Sequence, residues 1–326
     1  MWLEGDLFSL STHTVSEKLR DDRLKLSLEI YDEFRDKLER AYLVISIDSP
    51  VNMDYRFCRW RISLNKFNIS RVLKPFKEVV YESRRFLLLL YDLTPIKNML
   101  DATNELYIEY KGDQPSNLDF VGLLSTYSVS GGGNKPGVFL FEEPIILEYG
   151  KKITINAPGD ISRDRSIHMV MKALTPGTET VIKNDSRVLN GVEEYMTTIP
   201  SGENSFSIEV VRGVVYIPLI IAKERRFRDP NYSIRDVKVS EKSDKSPLLR
   251  IYLDNHGDLD VSEILVVALQ RGRIIANKRI SGVSREVELE IDKRLIDSND
   301  PRIYLRVIWN WLGSRYFSSK EAVIRV

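Results

Sequence analysis

"YDLTPIKNMLDATNELYIEY" (Tyr91–Tyr110) is the stretch whose reading decides the fold. It leaves the apolar run "FLLLLY" at Phe86–Tyr91, turns through Asp92-Leu93-Thr94-Pro95, and makes one or two helical turns over "PIKNML". Thr94 is placed to cap the helix, and Pro95 then falls at the first helical position, where its missing N–H costs nothing. "DATN" ends the turns, and "ELYIEYKG" alternates Leu106, Ile108 and Tyr110 as a strand. The stretch reads as a strand–short helix–strand corner, which is architecture and not a reaction centre.

The same period of two runs outward from it. "LKLSLEIY" puts Leu24, Leu26, Leu28 and Ile30 on one face and Lys25, Ser27, Glu29 and Tyr31 on the other, as a half-buried strand requires. "AYLVISID" (Ala41–Asp48) is apolar enough to be a central strand, and "YRFCRWRISLN" (Tyr55–Asn65) is a third.

The corner resembles that of the galactose-binding-like jelly rolls, including the N-terminal sugar-binding domain of family 2 glycoside hydrolases. Tyr91, Asp92, Leu93 and Thr94 match their Tyr/Phe-Asp-Val-Thr corner, and Asn104, Leu106 and Ile108 match the Asn-x-Leu-x-Ile strand that follows it. "RISLNKFNI" (Arg61–Ile69) is similar to their strand–Asn-Gly–strand hairpin, with Lys66 where glycine is usual; Thr103 likewise replaces a glycine. The resemblance covers roughly residues 20–130. It implies a jelly roll that either binds sugar or serves as a structural domain.

"YSVSGGGNKPG" (Tyr127–Gly137) punctuates the chain as a glycine-rich linker. It lacks the GK[ST] ending of a phosphate loop. A second all-β segment follows. "PIILEYGKKITINAPG" gives two strands joined at Tyr149-Gly150, and further strands run to about Ala222 before the charged bridge "KERRFRDPNY" (Lys223–Tyr232). From about Ser233 strands recur at sandwich spacing. There "LDNHGDLDVSEILVVAL" resembles CARDB-type and related immunoglobulin-like modules through Leu253, Asn255, Gly257 and Val261, with a later turn at Arg271-Gly272-Arg273. That resemblance implies a spacer or interaction module.

The expected fold is therefore all-β, with tandem β-sandwich domains: a jelly roll (1–130), a linker (131–137), a middle sandwich (138–228) and an immunoglobulin-like domain (229–326).

Composition narrows the function. The chain has 326 residues and a formal net charge of +1, so no global field draws it to nucleic acid or an anionic membrane. No basic n-region precedes an apolar segment, and no apolar run approaches the roughly 20 residues of a membrane span. A cytoplasmic protein is expected. Glutamine occurs only at Gln114 and Gln270, which beside abundant charge fits a thermophile source. No cofactor or metal is expected. The lone Cys58 reads as a buried thiol, and His13, His168 and His256 make no metal pair on one element. Asp254, Asn255, His256 and Asp258 in "DNHGD", and "DSNDP" at Asp297–Pro301, read as polar turns. Glu142-Glu143 and Glu193-Glu194, read as strand neighbours, point to opposite faces and make no glycosidase pair. No enzyme is expected.

Three surfaces are candidates for binding. In "YRFCRWRIS", Tyr55, Phe57, Arg59, Arg61 and Ser63 share one strand face, an aromatic and basic surface suited to sugars or bases. Lys223, Arg225, Arg226 and Arg228 around Phe227 form an anion-binding candidate or a solvated linker. Trp309 and Trp311 share a strand face as a platform or as core. Nucleic-acid binding would need the arginines at 59–61, 84–85 and 225–228 to merge on one surface. The expectation is a non-catalytic scaffold or protein-interaction component, with a protein partner or homo-oligomer. Carbohydrate binding through the jelly roll is the first alternative, and a cryptic hydrolase, which would need convergent carboxylates in a cleft between domains, is a further one.

Overall fold

The computed structural model describes residues 1–19, 23–54, 58–112, 114–129, 136–224, 228–241, 247–296, 300–311 and 314–323. The chain divides into two compact units, Met1–Arg226 and Phe227–Val326. Both are built from antiparallel sheets, so the all-β expectation holds.

The first unit begins with β1 (Trp2–Glu4), β2 (Leu7–Leu19), β3 (Arg23–Glu29), β4 (Leu38–Pro50), β5 (Arg59–Leu64), β6 (Phe67–Ser70), β7 (Lys77–Tyr81), β8 (Arg84–Asp92), β9 (Thr103–Lys111) and β10 (Ser116–Tyr127). It continues with β11 (Pro136–Leu140), β12 (Ile145–Glu148), β13 (Lys152–Asn156), β14 (Arg165–Ala173), β15 (Thr178–Ile182), β16 (Asp185–Leu189), β17 (Val192–Ile199), β18 (Ser205–Arg212) and β19 (Val214–Glu224).

Four sheets stack in this unit. The outermost has the order β3-β9-β5-β6 and lies against a five-stranded sheet, β2-β10-β4-β8-β7. The other face of that five-stranded sheet packs on β1-β11-β19-β14-β17, through Phe8, Val44, Leu88 and Leu124 on one side and Val138, Val170, Leu219 and Ile221 on the other. The fourth sheet, β13-β18-β15-β16, closes the stack around Met169, Ile208 and Ile217. The five-stranded sheet is thus covered on both faces. That is why "FLLLLY" is continuously apolar and "YLVISI" is interrupted only by the buried Ser46, instead of alternating.

Residues on either side of Gly5 belong to different sheets: β1 pairs with β11, and β2 pairs with β10. Gly5 makes the crossing at φ +132, where a side chain would meet Thr126 Cβ at 2.8 Å. The two strands joined at Tyr149-Gly150 separate in the same way, β12 pairing with β19 and β13 with β18. The glycine-rich stretch lies mostly outside the described residues.

The corner at Thr94–Met99 is a 3₁₀ helix with Pro95 in its first turn. Thr94 does not cap it, contrary to the expectation. The Asp92 carboxylate accepts the Thr94 N–H at 2.8 Å, and the Thr94 hydroxyl accepts the Ala41 N–H from β4 at 3.3 Å. The threonine ties the corner to the neighbouring strand, and the aspartate makes the turn.

The second unit contains β20 (Tyr232–Glu241), β21 (Pro247–Asn255), β22 (Glu263–Gln270), β23 (Arg273–Ser281), β24 (Glu286–Glu290), β25 (Arg302–Trp311) and β26 (Ser314–Val323). They form a three-stranded sheet, β20-β21-β24, and a four-stranded sheet, β23-β22-β25-β26. Trp309 and Trp311 are buried in its core.

Candidate functional site

The outer face of the β3-β9-β5-β6 sheet carries the candidate site. Alternation sends Trp60, Ile62, Leu64, Leu106, Ile108 and Tyr110 into the core and leaves their neighbours outside. Register then sets the outward residues in rows. Glu109 of β9 lies opposite Arg23 of β3 and Arg61 of β5, and Tyr107 lies opposite Lys25 and Ser63.

Tyr107 is held in place. The Arg23 guanidinium lies 4.5 Å from its ring centroid and Lys25 Nζ 5.5 Å, and its hydroxyl donates to Glu105 at 2.9 Å. Lys25 and Glu105 pair at 2.5 Å. Their hydrogen bond raises the ammonium pKa and lowers that of the carboxyl, so both stay charged at neutral pH. Arg61 Nε donates to the neutral Asn68 amide at 3.1 Å, and Glu109 lies 3.4 Å from Lys111.

Arg23, Arg61, Ser63, Lys66, Tyr107 and Glu109 line a depression of about 300 Å³. That is at the small end of the roughly 300–1,000 Å³ of small-molecule sites. Lys66 reaches it from the β5–β6 turn, where Asn65 and Lys66 take φ +48 and +72. This two-residue turn is the left-handed kind in which Asn-Gly is favoured.

Of the residues nominated from sequence, Arg59, Arg61 and Ser63 stand on this face, while Tyr55 and Phe57 lie outside the described residues. Arg225 and Arg226 also lie outside them. Arg228 is described and pairs with Asp258 at 2.8 Å. Arg84 pairs with Asp48 at 2.5 Å and Arg85 with Glu78 at 2.9 Å. The described arginines of the three clusters are therefore spent on local ion pairs or on the Tyr107 face.

Cys58 precedes β5 and is half-buried, with Tyr110 Oη 3.7 Å from its sulfur. Glu142-Glu143 is not on a strand: Glu143 pairs with Lys77 at 2.5 Å and Glu142 with the Met1 amine at 2.9 Å. In "DNHGD", Asn255 accepts the Asn231 and Gly257 N–H groups and donates to Leu259 O, so its polar atoms serve the turn. Among the described residues no group of three or more His, Cys, Asp or Glu is placed to hold a metal ion, and no helix is long and apolar enough to cross a membrane.

A larger hollow of about 580 Å³ is lined by Asp32, Arg35, Asp36, Leu38, Lys97 and Asn98. Two of its cations are already engaged, Lys97 with Leu38 O at 2.7 Å and Arg35 with Asp101 at 2.9 Å.

Sequence reading missed Arg23, Lys66, Tyr107 and Glu109. Alternation in "LKLSLEIY" and "ELYIEY" already turned Lys25, Tyr107 and Glu109 outward, but only the strand pairing puts them beside Arg61.

No protein-family model matches the chain, and no curated protein matches it in sequence. Among solved structures it is similar to a peptide-N(4)-(N-acetyl-β-D-glucosaminyl) asparagine amidase, at 10% identity and a TM-score of 0.28, covering 67% of this chain and 96% of that one. It is also similar to β-glucuronidase from Ruminococcus gnavus, at 12% identity and a TM-score of 0.23, covering 93% of this chain. The chain spans 36% of the glucuronidase chain's length. Likeness at these scores carries no argument about chemistry.

Proposed function

We propose that the protein is a non-catalytic carbohydrate-binding protein whose ligand lies across the outer face of the β3-β9-β5-β6 sheet. The observation that carries this reading is the depression around Tyr107. Sugars present vicinal hydroxyls that donate and accept, over a ring with apolar C–H edges. The depression offers matching groups: planar donors on Arg23 and Arg61, acceptors on Glu109 and Ser63, and a tyrosine ring held by its neighbours. The groups stand on paired strands, so little ordering is needed on binding. A glycan array probed with wild type and Tyr107→Ala tests it. Binding by wild type that the substitution removes is expected. Binding unchanged by the substitution, or none to any glycan, refutes the reading.

A second reading, protein interaction, draws on the other unit. On the outer face of β23-β22-β25-β26, Phe317, Ile308 and Leu265 form one row and Tyr304, Leu269 and Ile274 another. Ile274, Tyr304 and Phe317 are exposed. Light scattering and native pull-down of wild type and Phe317→Arg test it, association being lost in the variant if this face is used.

A further inference from the structure

We infer that the depression around Tyr107 is selective for an acidic saccharide, one carrying a carboxylate or sulfate, which Arg23, Arg61 and Lys66 would hold. This rests on the carbohydrate reading above and names its ligand class. Three observations point to it.

The first is charge. The lining carries three cations, Arg23, Arg61 and Lys66, against one carboxylate, Glu109. Glu109 is itself beside Lys111 at 3.4 Å, and Arg59 on the next row adds a further cation to the face. The second is the absence of a close ion pair on either arginine. Elsewhere on this face cation and carboxylate pair, as Lys25 does with Glu105. Among the described residues no carboxylate forms a close ion pair with Arg23 or Arg61, Arg23 resting on the Tyr107 ring and Arg61 on the Asn68 amide; Lys66 acts on Glu105 only through its longer-range field. Arg23 and Arg61 flank Glu109 from two adjacent strands, so their Cα atoms are separated by two strand spacings, roughly 10 Å. That is a span suited to a sugar ring with its acidic substituent at one guanidinium and its hydroxyls at the other. The third is backbone conformation. Lys66 occupies φ +72, where glycine is the favoured residue, and its position puts an ammonium at the rim of the depression.

Guanidinium binds a carboxylate or sulfate through two parallel N–H donors, which a neutral hydroxyl cannot match. Among the described residues the face carries one tyrosine ring, Tyr107, with Arg23 beside it, and no row of aromatic rings on which successive bases could stack. A saccharide therefore fits better than a nucleic acid.

The test is affinity electrophoresis of the full chain in gels containing polygalacturonate, heparin, or the neutral polymers dextran and galactan, with single-stranded DNA as a competitor. Retardation by an acidic polysaccharide, weakened about tenfold or more by Arg61→Gln or Arg23→Gln and reduced by salt, is the expected result. The substituted side chains are exposed or half-exposed, and unchanged melting temperatures show that the variants fold. Equal retardation by neutral and acidic polymers overturns the acidic selectivity and leaves the carbohydrate reading standing. Retardation by none of them overturns both. Competition by DNA at the same residues, with no preference for saccharide, overturns both as well and reassigns the face to nucleic acid.

Discussion

The Asn65 side-chain amide donates to Asn104 Oδ1 at 2.7 Å, joining the β5–β6 turn to the first residues of β9. Each asparagine also serves backbone. Asn65 Oδ1 accepts the Glu105 N–H at 2.9 Å, and Asn104 accepts the Asp101 N–H at 2.9 Å while donating to Asp101 O at 2.6 Å. Asn104 is fully buried. Two pieces of sequence some forty residues apart therefore form one knot at the corner.

Asn104→Ala removes an acceptor and two donors from a site closed to water, and strands the groups they satisfied. A loss of about 2–4 kcal/mol is expected, from one or two buried groups left unpaired. Urea denaturation measures it. Asn65→Ala, where part of the site is open to solvent, costs less.

Lys172 on β14 bridges the inner sheets of the first unit. Its Nζ lies 2.7 Å from Asp48 and 2.6 Å from Asp119, and 5.5 Å from the Phe86 ring centroid. Asp48 and Asp119 are almost completely buried. Lys172→Met leaves two adjacent carboxylates without their shared cation and destabilises by about 3–5 kcal/mol. Replacing Lys172 and Asp119 together with apolar residues, while Asp48 keeps its pair with Arg84, recovers most of that loss, and urea denaturation measures both variants.

The pH dependence of stability divides between two groups. Burial pushes the Asp119 carboxyl up to about 6, so between its unfolded value of about 3.9 and 6 the native state holds more protons, and stability falls as pH rises. Burial lowers His168 to about 4, with Lys223 adding to the effect. Between 4 and its unfolded value of about 6.5 the unfolded state holds more protons, and stability rises with pH. The two slopes oppose across pH 4–6. Relative to wild type, His168→Phe makes stability fall more steeply with pH there, and Asp119→Asn makes it rise more steeply. Urea midpoints at pH 4, 5 and 6 read both, and equal slopes in the two variants contradict the assignment.

Lys66→Gly separates stability from binding. Glycine takes φ +72 without the side-chain clash that disfavours lysine there, so the variant gains about 1 kcal/mol. It also loses a cation from the rim of the depression, so its affinity for acidic polysaccharide falls. A thermal melt and an affinity gel on the same sample check both.

Much of the fold was legible because period-two alternation survives wherever one face of a strand meets water, as in "LKLSLEIY" and "ELYIEY". The Asn65-Lys66 hairpin was read from its resemblance to the jelly-roll hairpin, in spite of Lys66 standing where glycine is usual. Thr94 was misread because a capping position in sequence does not show that Asp92 makes the turn, or that Ala41, more than fifty residues away, takes the hydroxyl. The candidate site was half legible. Arg61 and Ser63 lie on one segment, but their partners Arg23, Tyr107 and Glu109 come from two others, and register across three strands cannot be read along one chain. The Lys172 bridge was invisible for the same reason: its two carboxylates come from β4 and β10.

The most direct measurement is photo-crosslinking of the full chain with an acidic oligosaccharide carrying a diazirine, followed by mass-spectrometric location of the label. Label on peptides of β3, β9 or the β5–β6 hairpin, suppressed by Tyr107→Ala, is the expected result. Label confined to other surfaces, or label on this face that Tyr107→Ala leaves unchanged, would contradict the placement of the carbohydrate site.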